Sequence, residues 1–384
     1  MTLASSAYHV WHDRFWKREV HRPPGEIWQA AFEAYYGGRT EPFAVGEFRN
    51  VSAIDAASMF PWAMLADQFP LPWGAFRREL PGAAIQANGL YRVRVESRLP
   101  LPLLPYRSDH GLIFPNGRWV GWYVGCELLE FLRAGGRVRV LAGFTFAHSV
   151  QPFKAYIGTM FRRKSRSKGA RRTFYKLMLN ALYGKFGQRG ERVVAVPLEE
   201  AKHLDKMPAT YRIWAGLALY SEKKEPPPWG NNLWPAIVTA RSRVRLFQEM
   251  ERIRKRGGRL LYCDTDGVLY TGGRLRYPSR ATAPGDFEAR GKFRSAMIRA
   301  KKEYALEDAK GRWSFYAKGV PEVAREQYLK TGEAEFDRPV KLREAARSGE
   351  KANVWRAVRK VRRVTFEGRL RTRTGELAPI IVRE

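Results

Sequence analysis

Acidic residues are scarce in this chain. Its 384 residues carry 38 Asp and Glu against 69 Lys and Arg, a formal net charge of +31. So large an excess, spread over the whole chain, points to a polyanionic partner, nucleic acid first. Cysteine is nearly missing. Cys126 and Cys263 are the only two, too few for a disulfide framework, and a reducing cytoplasm is expected. No apolar run approaches the roughly 18 residues of a membrane span, and Met1 to His12 lacks the basic-then-apolar pattern of a signal peptide. No membrane partner is therefore expected. Internal repeats and low-complexity tracts are absent as well. What the chain does have is a 45% apolar content, enough for a large core in two or three subdomains.

Periodicity predicts a helix over residues 25–36, stopped by Gly37-Gly38, and another at Glu127–Leu132. Strands are predicted near Val51–Asp55, Leu90–Val95 and Val138–Leu141. A long basic helical region covers residues 157–186 and breaks at Ser165–Gly169. A further helix covers Ala236–Arg256, stopped by Gly257-Gly258. The basic C-terminal part, about 322–384, reads as mainly helical with a final strand-like Ile380–Val382. Helices and strands mix without regular alternation, so the fold class is α+β.

Three constellations carry chemistry. In Tyr262-Cys263-Asp264-Thr265-Asp266-Gly267, an Asp-Gly pair between two apolar runs predicts a β-hairpin, with both carboxylates at its tip on one face. Close carboxylates repel unless a cation neutralises them, and hard oxygen ligands on rigid strands suit Mg²⁺. A solvated acidic turn would have the same sequence. In Ile54-Asp55-Ala56-Ala57-Ser58-Met59-Phe60-Pro61, a buried strand delivers Asp55 at its end. In the third, Lys176, Asn180, Tyr183 and Gly184 lie on one face of a helix, with Phe174, Leu177, Met178 and Ala181 as its apolar face. A cation, an amide, a ring and a gap in one stripe could hold a triphosphate and a base. An ordinary amphipathic helix with a Gly cap could also look like this.

In this order the three resemble the polymerase motifs of family B DNA polymerases, D-x-x-S-L-Y-P, K-x-x-x-N-S-x-Y-G and Y-x-D-T-D-S. The likeness is closest to the protein-primed branch of phages and plasmids. Tyr35-Tyr36-Gly37-Gly38 resembles that branch's Y-x-G-G template motif, Lys164 its second triphosphate lysine, Lys302-Glu303-Tyr304 its K-x-Y primer motif, and Ala317-Lys318-Gly319 a segment leading to the thumb.

The resemblance implies a right-hand polymerase with an antiparallel-sheet palm, helical fingers and a small thumb. Residues 1–50 would lead into the palm, 51–155 form palm with an insertion, 156–190 fingers, 191–320 palm and 321–384 thumb. It implies template-directed transfer of deoxynucleotides to a primer 3′-oxygen, with two Mg²⁺ ions and Mn²⁺ as a substitute. Asp55, Asp264 and Asp266 would be the catalytic carboxylates. Asp55, Asp266 and the Ala56 carbonyl would hold metal, Asp264 having the less certain direct role. Ser58, Met59, Phe60, Lys164, Lys176, Asn180 and Tyr183 would bind the nucleotide. Tyr35, Gly37, Gly38, Gly184, Thr265, Lys302 and Tyr304 would contact template and primer. The partners implied are DNA, deoxynucleoside triphosphates and a priming factor such as a terminal protein, in a bacterial, phage or plasmid setting.

Departures matter too. Phe60 stands where the family has Tyr against the ribose 2′-hydroxyl, which keeps a ring and so a deoxynucleotide preference. Ala181 and Gly267 replace Ser without removing a ligand. The residues before Asp55 are too few for an exonuclease domain and lack a D-x-E pair, so no 3′–5′ proofreading is expected. Lys185–Arg259 leaves limited room for a strand-displacement insertion. Rival readings are a primase-like or non-templated nucleotidyltransferase on the same palm, an inactive nucleic-acid-binding protein, and a D-x-D glycosyltransferase, which would need neither the charge nor the helix motif.

Overall fold

The computed structural model describes residues 2–65, 68–109, 111–188, 191–201, 212–214, 217–223, 226–339, 355–362, 368–372 and 376–383. The chain divides into two compact units. The first comprises Met1–Gly187, Pro228–Ser314 and Phe366–Glu384; the second comprises Gln188–Pro227 and Phe315–Thr365.

A sheet organises the first unit. Its strands Thr40–Pro42, Gly258–Asp264, Gly267–Gly272, Gly46–Ala56, Phe287–Ala300 and Glu303–Glu307 pair in that order, each antiparallel to the next. Val51, Ala53 and Leu261 are buried on one side with Leu269 and Ile298, while Ile54, Cys263, Val268 and Tyr270 face a second core. Alternation of this kind is what a sheet covered on both faces needs. The long helix Leu233–Lys255 packs on it. A five-stranded sheet stands beside that core, ordered Ile381–Arg383, Asn116–Val124, Leu90–Ser97, Arg137–Phe146 and Phe76–Glu79.

The predicted break in the basic region is there: the helices are Lys154–Ser165 and Gly169–Phe186, with Gly169 at φ +54°. Both are anchored at one end in an aromatic core that the sequence reading missed. Trp11, Phe153, Phe186 and Trp234 meet edge to face there. Trp11 Nε1 donates to the Pro152 carbonyl at 2.7 Å, and Trp234 Nε1 to that of Pro70 at 2.8 Å. The apolar face expected for the second helix is wrong in its first half. Met178, Leu179, Leu182 and Phe186 are buried, but Phe174 and Leu177 are exposed. Only the C-terminal half of the helix lies in the core, so position along the axis outweighs position around it.

The C-terminal part is not mainly helical among the described residues. After the helix Glu322–Thr331 come the ribbon Glu333–Pro339 and Trp355–Val361, then short strands that return to the first unit, ending with Ile381–Arg383. Lys and Arg, which suit helices, stand here on strands instead, among them Arg356, Arg359, Lys360, Arg369 and Arg371. Both cysteines are free, and burial pushes each thiol up to about 12. No helix of the described residues is long and apolar enough to cross a membrane.

Candidate active site

The hairpin forms, with Asp264 and Asp266 at its tip. Asp264 pairs with Gly267, leaving Thr265 and Asp266 as the two turn residues, with Thr265 at φ +62°. Such hairpin turns need positive φ, and a β-branched residue adopts it only under constraint. The constraint is visible. The Thr265 amide donates to the Arg39 carbonyl at 2.7 Å, and a Cβ on Gly38 would come within 3.0 Å of the Thr265 methyl. The Tyr35–Gly38 loop thus packs on the hairpin tip.

The turn gives the two carboxylates different surroundings. Asp264 Oδ1 accepts from Thr40 Oγ1 at 2.8 Å and lies 3.3 Å from Lys302 Nζ. Asp266 is half-buried. Burial, then the charges of Asp55 and Asp264, raises its pKa to about 7. Asp55 is opposite Gly267 on the next strand, and the Ala56 amide donates to the Asp266 carbonyl at 2.8 Å. Asp55 and Asp266 are therefore neighbours across two strand ends. Among the described residues no group of three or more His, Cys, Asp or Glu side chains forms a metal cage. Two carboxylates brought together by the strand pairing, with Asp266 repelled by Asp55, nonetheless fit a divalent cation that keeps most of its ligands as water or substrate oxygens. Asp55, Asp266 and the Ala56 carbonyl are the groups that would hold it.

A raised aspartate pKa has a testable sign. The folded chain holds the Asp266 proton more tightly than the unfolded chain does. That favours folding below about pH 4, and the advantage is lost as pH rises towards 7. Asp266→Asn should then stabilise the metal-free protein at pH 8, on the order of 2–4 kcal/mol, and have little effect at pH 4. Denaturation midpoints at the two pH values check this; equal shifts at both would refute it. Excess Mg²⁺ at pH 8 should shrink the difference.

The basic helices reach the same place. Ser58, at φ +55° just after the Asp55 strand, accepts from Lys164 Nζ at 2.7 Å. Partial burial, then Arg172 and Lys176, pulls the Lys164 pKa down to about 8. Three crowded cations beside two aspartates form a cradle for a polyphosphate. The Phe60 and Tyr183 rings lie 4.6 Å apart at 32°, and the neighbouring Met59 is buried in the core behind the Asp55 strand. Gly187 abuts the Tyr35 ring, and Tyr35 is in turn close to Tyr183. Lys176, Asn180 and Gly184 are exposed along one helix face.

On the far side of Asp264, the Lys302 amide donates to the Tyr262 hydroxyl at 3.0 Å, and Tyr304 packs on the Tyr262 ring at 5.0 Å. Tyr304 thus stands beyond Asp264, away from the Phe60–Tyr183 stack. Sequence reasoning missed Thr40, Glu288, Arg290 and the pair Glu127–Arg243. Arg290 Nε donates to Asp55 Oδ2 at 3.0 Å. Arg243 donates to the Tyr36 and Gly37 carbonyls at 3.0 and 2.9 Å. Their partners are distant in sequence, and no local pattern signals them.

The profile of a family described as DNA polymerase type B, organellar and viral, matches residues 1–214. A probable DNA polymerase of Neurospora intermedia is 28% identical over 265 residues, 61% of this chain and 26% of that protein. The DNA polymerase of Bacillus phage B103 is 26% identical over 261 residues, 62% of this chain and 42% of the phage protein. The chain thus spans about a quarter of the fungal relative and under half of the phage one. Among solved structures, Phi29 DNA polymerase complexed with primer-template DNA and incoming nucleotides matches with a TM-score of 0.73. It shares 18% identity, over 94% of this chain and 67% of that one, which shows the fold.

Proposed function

The chain belongs to the organellar and viral type B DNA polymerases, and on that premise we propose that it is a template-directed DNA polymerase acting by nucleotidyl transfer. One observation carries the reading. The Lys164–Ser58 bond brings the basic helix pair to the strand end that bears Asp55, with Asp266 in the adjoining hairpin turn. A polyphosphate cradle and a metal-holding carboxylate pair then share one wall.

In this reading Asp55, Asp266 and the Ala56 carbonyl hold Mg²⁺, or Mn²⁺ in its place. Bound there, the ions neutralise charge on the attacking and leaving oxygens. The chain's own side chains supply position. Lys164, Lys176 and Arg172 grip the triphosphate. Ser58, Met59 and the Phe60 ring line the sugar, and Phe60 favours deoxyribose by filling space at its 2′ carbon. Asn180, Tyr183 and Gly184 border the new base pair. Lys302, tethered to Asp264, and Tyr304 steady the primer end. Tyr35, Gly37, Gly38 and Thr265 guide the template. The partners are primer-template DNA, deoxynucleoside triphosphates and a priming factor such as a terminal protein. The setting we propose is replication of a phage or plasmid genome in the cytoplasm. The proposed division places palm at residues 51–155 and 191–320, fingers at 156–190 and thumb from residue 321.

The decisive assay is extension of a primed single-stranded template with Mg²⁺ and deoxynucleotides, beside a control without template. Template-ordered product that disappears in the control is expected. Equal product without template would instead favour the non-templated transferase.

A further inference from the structure

Arg290 occupies a position that its strand had to be distorted to provide. The strand Phe287–Ala300 places Glu288 opposite Asp55 and Ala289 opposite Ile54. The register then slips, so that Gly291 faces Ala53. Arg290 is the extra residue of a β-bulge, and Gly291, at φ +147°, absorbs the irregular backbone. Bulges beside functional sites re-aim a side chain. Here the guanidinium is aimed at Asp55. Nε and Nη2 both donate to Oδ2, the first at 3.0 Å, while Nη1 lies 3.1 Å from Glu288 Oε1. Glu288 is itself fixed, since its Oε2 accepts from the Ala281 amide at 2.7 Å.

The clamp takes up Asp55 Oδ2, one of the two oxygens that this carboxylate can offer a cation. It is also built to open. Arg290 is 53% exposed and Asp55 24%. Pairs so open to water contribute at most about 1 kcal/mol. The Arg243–Glu127 pair, with both side chains 0% exposed, has no such freedom.

We propose that Arg290 is a displaceable counter-ion of the Asp55–Asp266 site, competing with the divalent cation for Asp55 and setting the cation concentration at which the site fills. When the cation takes Asp55, Glu288 keeps the released guanidinium nearby. The inference rests on the reading of Asp55 and Asp266 as the metal-holding pair.

Mn²⁺ binding to the full chain, without DNA or nucleotide and followed by the electron paramagnetic resonance of free Mn²⁺, tests it without recourse to activity. Arg290→Gln should tighten binding about 5-fold, the equivalent of about 1 kcal/mol. Arg290→Lys, which keeps a cation, should stay nearer the unaltered protein. Asp55→Asn should weaken binding strongly in either background. If Arg290→Gln leaves Mn²⁺ affinity unchanged or lowers it while Asp55→Asn still weakens binding, the competition is refuted and the metal site stands. If Asp55→Asn has no effect, the metal site falls and the competition with it.

Discussion

Asp266→Ala should abolish primer extension, by at least about 10³-fold, in a protein that still folds and still binds DNA. Removing a single electrostatic stabiliser of a transition state commonly costs 10²–10³-fold. Asp266 is one of the two carboxylates proposed to hold the metal, so its loss should exceed that range. Loss of fold does not explain the result in advance. The Asp266 carboxylate is repelled by Asp55 and Asp264 and disfavoured by burial, so the alanine protein should be at least as stable as its parent near pH 8. DNA affinity should change little, because phosphate contacts come from the Lys and Arg excess. Single-turnover extension and a DNA-binding titration on the same preparation check both halves. Near-parental extension would remove Asp266 from the chemistry. Asp264→Ala should differ in kind. Its carboxylate is committed to Thr40 and Lys302, so the main effect should be a higher KM for the primed template.

The second large effect is on stability. Arg243 and Glu127 are both fully buried and joined by Nε at 3.1 Å and Nη2 at 2.7 Å. Arg243→Ala leaves Glu127 buried without its counter-ion, where burial already raises its pKa, and strands the Tyr36 and Gly37 carbonyls. Breaking a buried pair in this way costs about 3–5 kcal/mol. Replacing both residues by Met removes the orphaned charge and should recover much of that loss. It should not restore the loop that Arg243 holds, so template use should stay impaired while stability returns. Chemical denaturation and KM for template, measured on the single and double variants, separate the two roles. Full recovery of both by the double variant would show that Arg243 only fills space.

The contrast explains how much could be read from the chain beforehand. The Asp55 strand end, the Lys176 helix and the 262–270 hairpin are local patterns. Each is set by neighbours within a few residues, and each is present in the fold. Which residues make the turn was not legible, because Thr265 takes positive φ, and that depends on Arg39 and Gly38, which are far away in sequence. Phe174 and Leu177 were assigned to a core that stops before reaching them. The C-terminal strands were hidden by charge. Arg369 appears as one more basic residue in a basic tail, yet its guanidinium is buried with its Nε 2.8 Å from Glu41 Oε2. Glu41, Glu127 and Arg243 have partners more than a hundred residues away, and Arg290 depends on a bulge that no alternation rule predicts.

The second unit is entered and left twice, and each time the first unit fastens its own ends. The Asn231 amide bonds the Phe186 carbonyl at 2.9 Å, so the chain re-enters beside the point where it left. After the other departure, Arg369 on Glu41 secures the return. Loop closure grows only slowly in cost with length. Either excursion can therefore change in length at little cost to closure, while the aspartate-bearing strands keep their alignment.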